Sequence, residues 1–179
     1  LNRGALKNIA AKYALEDGCD YVAFHDIDML VEDADYSYVK IPTRIATEFR
    51  PMAGKYDYKK YFGGVVLLNR EHLVKTNGYS NEYWGWGAED DDLLLRCKFN
   101  NLTNNGHPYI KRGIFKVLDH PRTGTLDYAS HLSDKNVDRL NLMLNRKIDF
   151  RKDGLSNLNF FKKKLEYINP FTIFISVEL

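Results

Sequence analysis

Apolar positions recur at helical spacing from the first residues. Ala5, Leu6, Ile9, Ala10 and Tyr13 follow a repeat near 3.6 residues and predict a helix that opens without an N-cap signal. Glu16-Asp17-Gly18 breaks it, and Tyr21-Val22-Ala23-Phe24 reads as a short buried strand ending abruptly in His25-Asp26-Ile27-Asp28. Residues 31 to 60 are polar and rich in tyrosine, with Pro42 and Pro51, and predict loops around one short strand near 38–41. A second buried strand is expected at Val65-Val66-Leu67-Leu68. Asn69 then caps a helix over residues 70–76, closed by Asn77-Gly78. Further on, the pattern predicts a helix through Leu93, Leu94, Leu95 and Cys97, a strand over 114–118 and a helix over about 134–148. The last strand runs from 172 to 179, with Ile173, Ile175, Val177 and Leu179 on one face, whereas Lys162-Lys163-Lys164 reads as a solvated helix face. Strands interleaved with helices predict a single α/β domain over residues 1–179 with a mixed central sheet.

Composition narrows the function without naming it. The chain has 179 residues, 44% of them apolar and 13% aromatic, which supports a sizeable core and excludes a disordered or fibrous chain. Lys plus Arg is 26 and Asp plus Glu is 24, a formal charge of +2 that offers no footprint for nucleic acid. No apolar run approaches the roughly 18 residues of a membrane span. The N-terminus, with Asn2, Arg3 and Lys7, lacks the apolar core of a signal peptide. Two cysteines, Cys19 and Cys97, make no disulfide framework and point to a reducing compartment. Leu at position 1 and a helix already under way lead us to expect a fragment of a longer protein.

Three clusters carry candidate chemistry. Asp26 and Asp28 alternate to the same side of an extended chain at a strand end, where open α/β sheets bind ligands, and so can face one cation or diphosphate. A plain turn is the competing reading, and His25 points the other way as a structural residue. His120 also follows an apolar strand and is a candidate metal ligand, against a surface or satisfied core histidine. In Tyr83-Trp84-Gly85-Trp86-Gly87-Ala88-Glu89-Asp90-Asp91-Asp92, acids at the first turn of a helix complement its dipole, but one cap does not need four of them. Tryptophans spaced by glycines suit a movable wall on which a sugar ring stacks, with carboxylates accepting hydroxyl hydrogen bonds. Gly63 and Gly64 mark either close approach of backbone to a ligand or a bulge.

Together these residues resemble the β-1,4-galactosyltransferases, glycosyltransferase family 7. The matching pieces are Asn2-Arg3, His25-Asp26-Ile27-Asp28, Tyr61-Phe62-Gly63-Gly64-Val65, Asn77-Gly78, residues 84–92, His120 and Asp153-Gly154-Leu155, in the family's order over essentially the whole chain. The resemblance implies a nucleotide-sugar-binding GT-A-like fold lacking its first strands. It further implies that Asp28 and His120 are ligands of a manganese ion, with magnesium a possible substitute. Arg3, Asp26, Asp28, Tyr61, Gly64 and Trp86 would bind the donor, and Tyr61 would set its selectivity for galactose. Trp84, Glu89, Asp90 and Asp91 would bind the acceptor, with Asp90 the catalytic base. Three departures stand out: Val117 replaces a methionine ligand three residues before the histidine, the upstream Phe-Arg-x-Arg motif is absent, and the disulfides of Golgi members have no counterpart.

The expected function is metal-dependent, inverting transfer of galactose from UDP-galactose to the 4-hydroxyl of a carbohydrate or glycoconjugate acceptor, with N-acetylglucosamine leading and glucose or xylose behind it. Alternatives are transfer of N-acetylgalactosamine, a sugar-binding module without catalysis, and a metal-dependent phosphotransferase or phosphohydrolase using Asp26, Asp28 and His120. The compartment is expected to be the cytoplasm for a bacterial or viral protein and the Golgi lumen if a type II anchor lies upstream. Asn101-Leu102-Thr103 is a glycosylation sequon that an Asn-rich chain produces by coincidence. Oligomeric state stays open.

Overall fold

A computed structural model describes residues 1–50, 62–107, 109–118 and 127–179, the stretch 127–133 by its backbone alone. In chain order the elements are α1 (Arg3–Glu16), β1 (Tyr21–His25), β2 (Met29–Ala34), β3 (Thr43–Arg44), β4 (Glu48–Arg50), β5 (Val65–Asn69), α2 (Arg70–Thr76), α3 (Glu89–Phe99), β6 (Tyr109–Ile110), β7 (Gly113–Val117), α4 (Asp127–Leu144), β8 (Phe161–Asn169) and β9 (Thr172–Glu178). One sheet has the order β1-β5-β3-β6 and a second the order β2-β7-β4. The first combines two antiparallel pairs with one parallel pair, β3 with β6, and the second one antiparallel pair with one parallel pair, β4 with β7, so the fold is α/β with mixed sheets.

The unbroken apolar run of β5 follows from its position between two cores. Val66 and Leu68 face a cluster with Phe24, Phe62, Leu73, Tyr79 and Leu93, while Val65 and Leu67 face a second with Val39, Ile45, Phe49 and Phe115. Neighbouring side chains leave opposite faces of a strand, so a strand buried on both sides loses the polar half of its alternation. Next in the chain, α2 is capped as expected. Asn69 Oδ1 accepts from the His72 N–H at 2.9 Å, His72 Nδ1 accepts from the Asn69 N–H at 3.1 Å, and Asn77 turns the chain off the helix at φ 58°.

Five expectations need correction. α1 does have a cap: Asn2 Oδ1 accepts from the Ala5 N–H at 2.9 Å. Residues 31–34, expected as loop, belong to β2, whose mostly exposed side chains and bulge between Val31 and Asp33 hide any period-2 signal. No strand lies at 38–41; the pairing begins at Thr43. Lys162 to Lys164 lie on β8 rather than a helix, because β9 needs a partner: Leu165 pairs with Ile175 and Tyr167 with Ile173. The fourth helix also begins and ends earlier than its pattern indicated. Among the described residues no helix is long and apolar enough to cross a membrane.

Candidate functional site

The site forms where α1, the end of β1 and the start of α3 meet. α3 begins without a side-chain cap: Ala88, its N-cap residue, sits at φ 74°, after Gly85 at 81° and Gly87 at 96°. A Cβ on Gly87 would touch nothing within 4 Å, so the left-handed backbone itself is what calls for glycine there. These turns hold Trp84 and Trp86 out of the core, 44% and 64% exposed. Their backbone is fastened from α4, where the buried Asn136 directs Nδ2–H toward the carbonyls of Trp84 (3.0 Å), Trp86 (3.2 Å) and Gly87 (3.1 Å).

The four acids at the start of α3 divide by helical spacing. Asp92 points inward to Arg96 Nε at 2.5 Å and accepts from Tyr83 Oη at 3.1 Å. Arg96 also reaches Asp153 (Nη2 to Oδ2, 3.2 Å), which takes Arg139 at 2.7 Å and Ser80 Oγ at 2.5 Å. Glu89 and Asp90, both buried, face α1 instead: Arg3 Nη2 lies 2.5 Å from Glu89, and Lys7 Nζ lies 3.5 Å from Asp90 Oδ1. Asp91 is exposed.

Lys7 Nζ also lies 3.4 Å from Asp26 Oδ1. Asp26, half-buried at the end of β1, donates its N–H to the Gly64 carbonyl at 2.9 Å, and its own carbonyl accepts from Met29 N–H at 3.2 Å. This tight turn carries Asp28, also half-buried, whose carbonyl accepts from the Leu118 N–H just past β7 at 2.8 Å. Gly64 has φ +74°, and a Cβ there would come within 2.9 Å of Met29 Cε; the close approach seen is to Met29. His25 is structural, contacting the Asp26 carbonyl at 2.9 Å and Tyr36 Oη at 3.0 Å.

Burial pushes the Asp90 carboxyl up to about 7; Lys7 opposes this, Glu89 and Asp26 add to it, and Arg3 opposes it. Partial desolvation beside the buried acids likewise raises Asp91 despite its exposed surface, with Glu89 adding to it. For Lys7, burial disfavours the ammonium, but the charges of Asp90, Asp26 and Glu89 outweigh it and raise its pKa.

The structure therefore brings together Arg3, Asp26, Glu89 and Asp90 of the expected set, with Asp28 on the adjoining turn and the tryptophan loop next to the acids. Tyr61 and His120 lie outside the described residues. Val117 packs against the second core opposite Met29 in the β2–β7 register. Among the described residues no three of His, Cys, Asp and Glu form a metal cluster. Asp28 is a hard oxygen donor on the turn adjoining the site, of the kind a divalent ion prefers. Sequence reasoning missed Lys7, Asn136 and the Arg96 network. For Lys7 the available signal was its spacing of four from Arg3, which places both cations on one helix face.

A family model described as the N-terminal domain of galactosyltransferase matches residues 43–121. Human β-1,4-galactosyltransferase 4 is 34% identical over 99% of this chain and 50% of its own length. Human β-1,4-galactosyltransferase 3 is 30% identical over 89% of the chain and 39% of its own. The chain thus spans about half the length, or less, of these relatives. Among solved structures, the catalytic domain of Drosophila β-1,4-galactosyltransferase 7 in complex with xylobiose superposes with a TM-score of 0.74 at 27% identity, covering 99% of this chain and 74% of that one. A mutant of the same enzyme, in complex with manganese, UDP-Gal and xylobiose, gives a TM-score of 0.72 at 26% identity, with the same coverage.

Proposed function

The chain belongs to the β-1,4-galactosyltransferase family, and from that premise we propose that its protein transfers galactose from UDP-galactose to the 4-hydroxyl of an acceptor sugar, with inversion and with the help of a divalent cation. The observation that carries this reading is Asp90: a buried carboxylate beside Asp26, next to a loop of exposed tryptophans, with a pKa of about 7. A base so placed is half ionised near neutrality, where it best combines readiness to accept a proton with the strength to do so. Asp90 takes the proton of the acceptor hydroxyl as that oxygen reaches the anomeric carbon from the face opposite the diphosphate. Glu89 and Asp91 accept hydrogen bonds from the acceptor's other hydroxyls, and Trp84 gives its ring a stacking surface. Arg3, Asp26, Gly64 and Trp86 bind the donor, and Tyr61 limits the room at its 2-position.

Asp28 and His120 would hold the cation, manganese in the first place and magnesium with lower affinity, whose charge offsets that of the departing diphosphate. The manganese and UDP-Gal complex of the Drosophila relative supports the choice of metal and donor. Its xylobiose complex supports xylose as an acceptor beside N-acetylglucosamine. Similarity to mammalian galactosyltransferases supports the Golgi lumen, rather than the cytoplasm, as the site of action. The test is UDP release by the full-length protein with UDP-galactose, manganese and either a β-xyloside or N-acetylglucosamine. Galactosylated product with a β1,4 linkage is expected, and UDP-galactose binding without transfer to either acceptor, or phosphate release from simple esters, would overturn the proposal.

A further inference from the structure

We propose that Lys7 is a positioning residue of the transfer site, a cation that joins the carboxylate at the end of β1 to the carboxylate at the start of α3 and holds both in place. The inference rests on the reading of Asp90 as the base and extends it to a residue outside the expected set. α1 presents Arg3 and Lys7 four residues apart, on one face, toward three acids: Asp26 from β1 and Glu89 and Asp90 from α3. Arg3 lies 2.5 Å from Glu89, and Lys7 reaches both Asp26 and Asp90, at 3.4 and 3.5 Å.

Lys7 is held from below as well. Its Nζ stands 4.8 Å from the ring centroid of Tyr79, a fully buried residue between α2 and α3, and its side chain is only 14% exposed. Among the described residues, the charged or titratable groups facing this point include Arg3, Asp26, Tyr79, Glu89 and Asp90. Without Lys7, three carboxylates would share a desolvated space with one arginine. Such a cluster finds relief by protonating its most buried member. That removes the charge of the base until the pH is raised. Lys7 also spans the two halves of the reaction, because Asp26 belongs to the donor side and Asp90 to the acceptor side.

The test compares Lys7→Met and Lys7→Arg in the full-length protein, by UDP release across neutral pH with UDP-galactose, manganese and the acceptor that supports turnover, alongside thermal unfolding. For Lys7→Met, the acid limb of kcat should move up by about one pH unit, so that activity falls about tenfold at the acidic end and recovers toward alkaline pH. Lys7→Arg, which keeps the charge, should restore the limb to within a few tenths of a unit. If Lys7→Met fails to fold, Lys7→Gln gives the same neutral comparison. A uniform loss of rate at every pH, an unmoved acid limb in the neutral variants, or an Arg variant shifted as far as the neutral one would overturn the role. Failure of the base reading looks different: Asp90→Asn would then keep both the rate and the acid limb, whatever Lys7 does.

Discussion

As the proposed base, Asp90 meets two opposing demands. It has to be buried to act on a proton away from water, and it has to be charged, which burial resists. The compromise is a pKa of about 7, reached because Lys7 and Arg3 offset part of the desolvation and of the repulsion from Glu89 and Asp26. Since the deprotonated form accepts the proton, kcat should rise with pH through about 7 and then level off, falling about tenfold per unit well below it. Asp90→Asn keeps the shape and loses the basicity, so kcat should drop by roughly 10²- to 10⁴-fold. UDP-galactose affinity measured by calorimetry should hardly change; an equal loss in both would show that Asp90 binds the donor instead. Tyr61→Leu belongs to the same scale. A smaller side chain leaves room for an acetamido group, and competition assays should show UDP-N-acetylgalactosamine gaining on UDP-galactose, since differential pocket contacts set such preferences.

At the scale of elements, the tryptophan loop and α3 depend on α4. Ala88 in the left-handed region starts α3 without a side-chain cap, and the loop before it has two glycines at positive φ, a conformation with little intrinsic preference for itself. Asn136 supplies what the local chain lacks, one amide group shared by three loop carbonyls. Asn136→Ala leaves those carbonyls unsatisfied or hydrated and should destabilise the fold by about 1–3 kcal/mol. Its more telling effect should be several-fold higher KM for donor and acceptor with a smaller change in kcat, because the acids of α3 stay while the wall above them loosens. Intrinsic tryptophan fluorescence, with its quenching by acrylamide, should report greater access to Trp84 and Trp86. An unchanged quenching profile would show that the loop does not need this anchor.

For the molecule as a whole, the Asp92–Arg96–Asp153–Arg139 network fixes α3 against α4 and the turn after Phe150. Arg96 is among the largest fully buried side chains, and Asp153 touches two guanidinium groups, Ser80 and the Asn81 N–H. Burial alone would raise the Asp153 pKa, but the hydrogen bonds from Ser80 and Asn81 and the charge of Arg96 lower it below the ordinary value. A depressed carboxylate pKa stabilises the fold above the unfolded value, near 4, and that stability disappears as pH falls through the lower folded value. Asp153→Ala leaves a buried arginine without its partner and should cost about 3–5 kcal/mol in denaturant unfolding at neutral pH. The difference from the parent protein should shrink as the pH drops below about 4. A change under about 1 kcal/mol would mean that Asp92 and the backbone carbonyls satisfy Arg96 alone.

Strong local signals were legible from the chain alone. The apolar run 65–68, the cap at Asn69, the stop at Asn77-Gly78 and the Asp26–Asp28 strand end each depend on neighbours a few residues away, where side-chain period and backbone preference act. The 84–92 motif likewise pointed to the proposed chemistry, because carboxylates and stacking rings at that spacing suit a sugar site. Without the resemblance, residue pattern alone could not divide the four consecutive acids between the candidate site and the core. Helical spacing put Asp92 under Arg96 and Asp90 against α1, a division that needs the positions of residues far away in the chain. For the same reason Lys7 looked like an ordinary polar residue, and 162–164 like a helix face, until α3 and β9 supplied their partners. Burial, partner charge and strand pairing are properties of contact across sequence distance, so they arise only when the chain is folded.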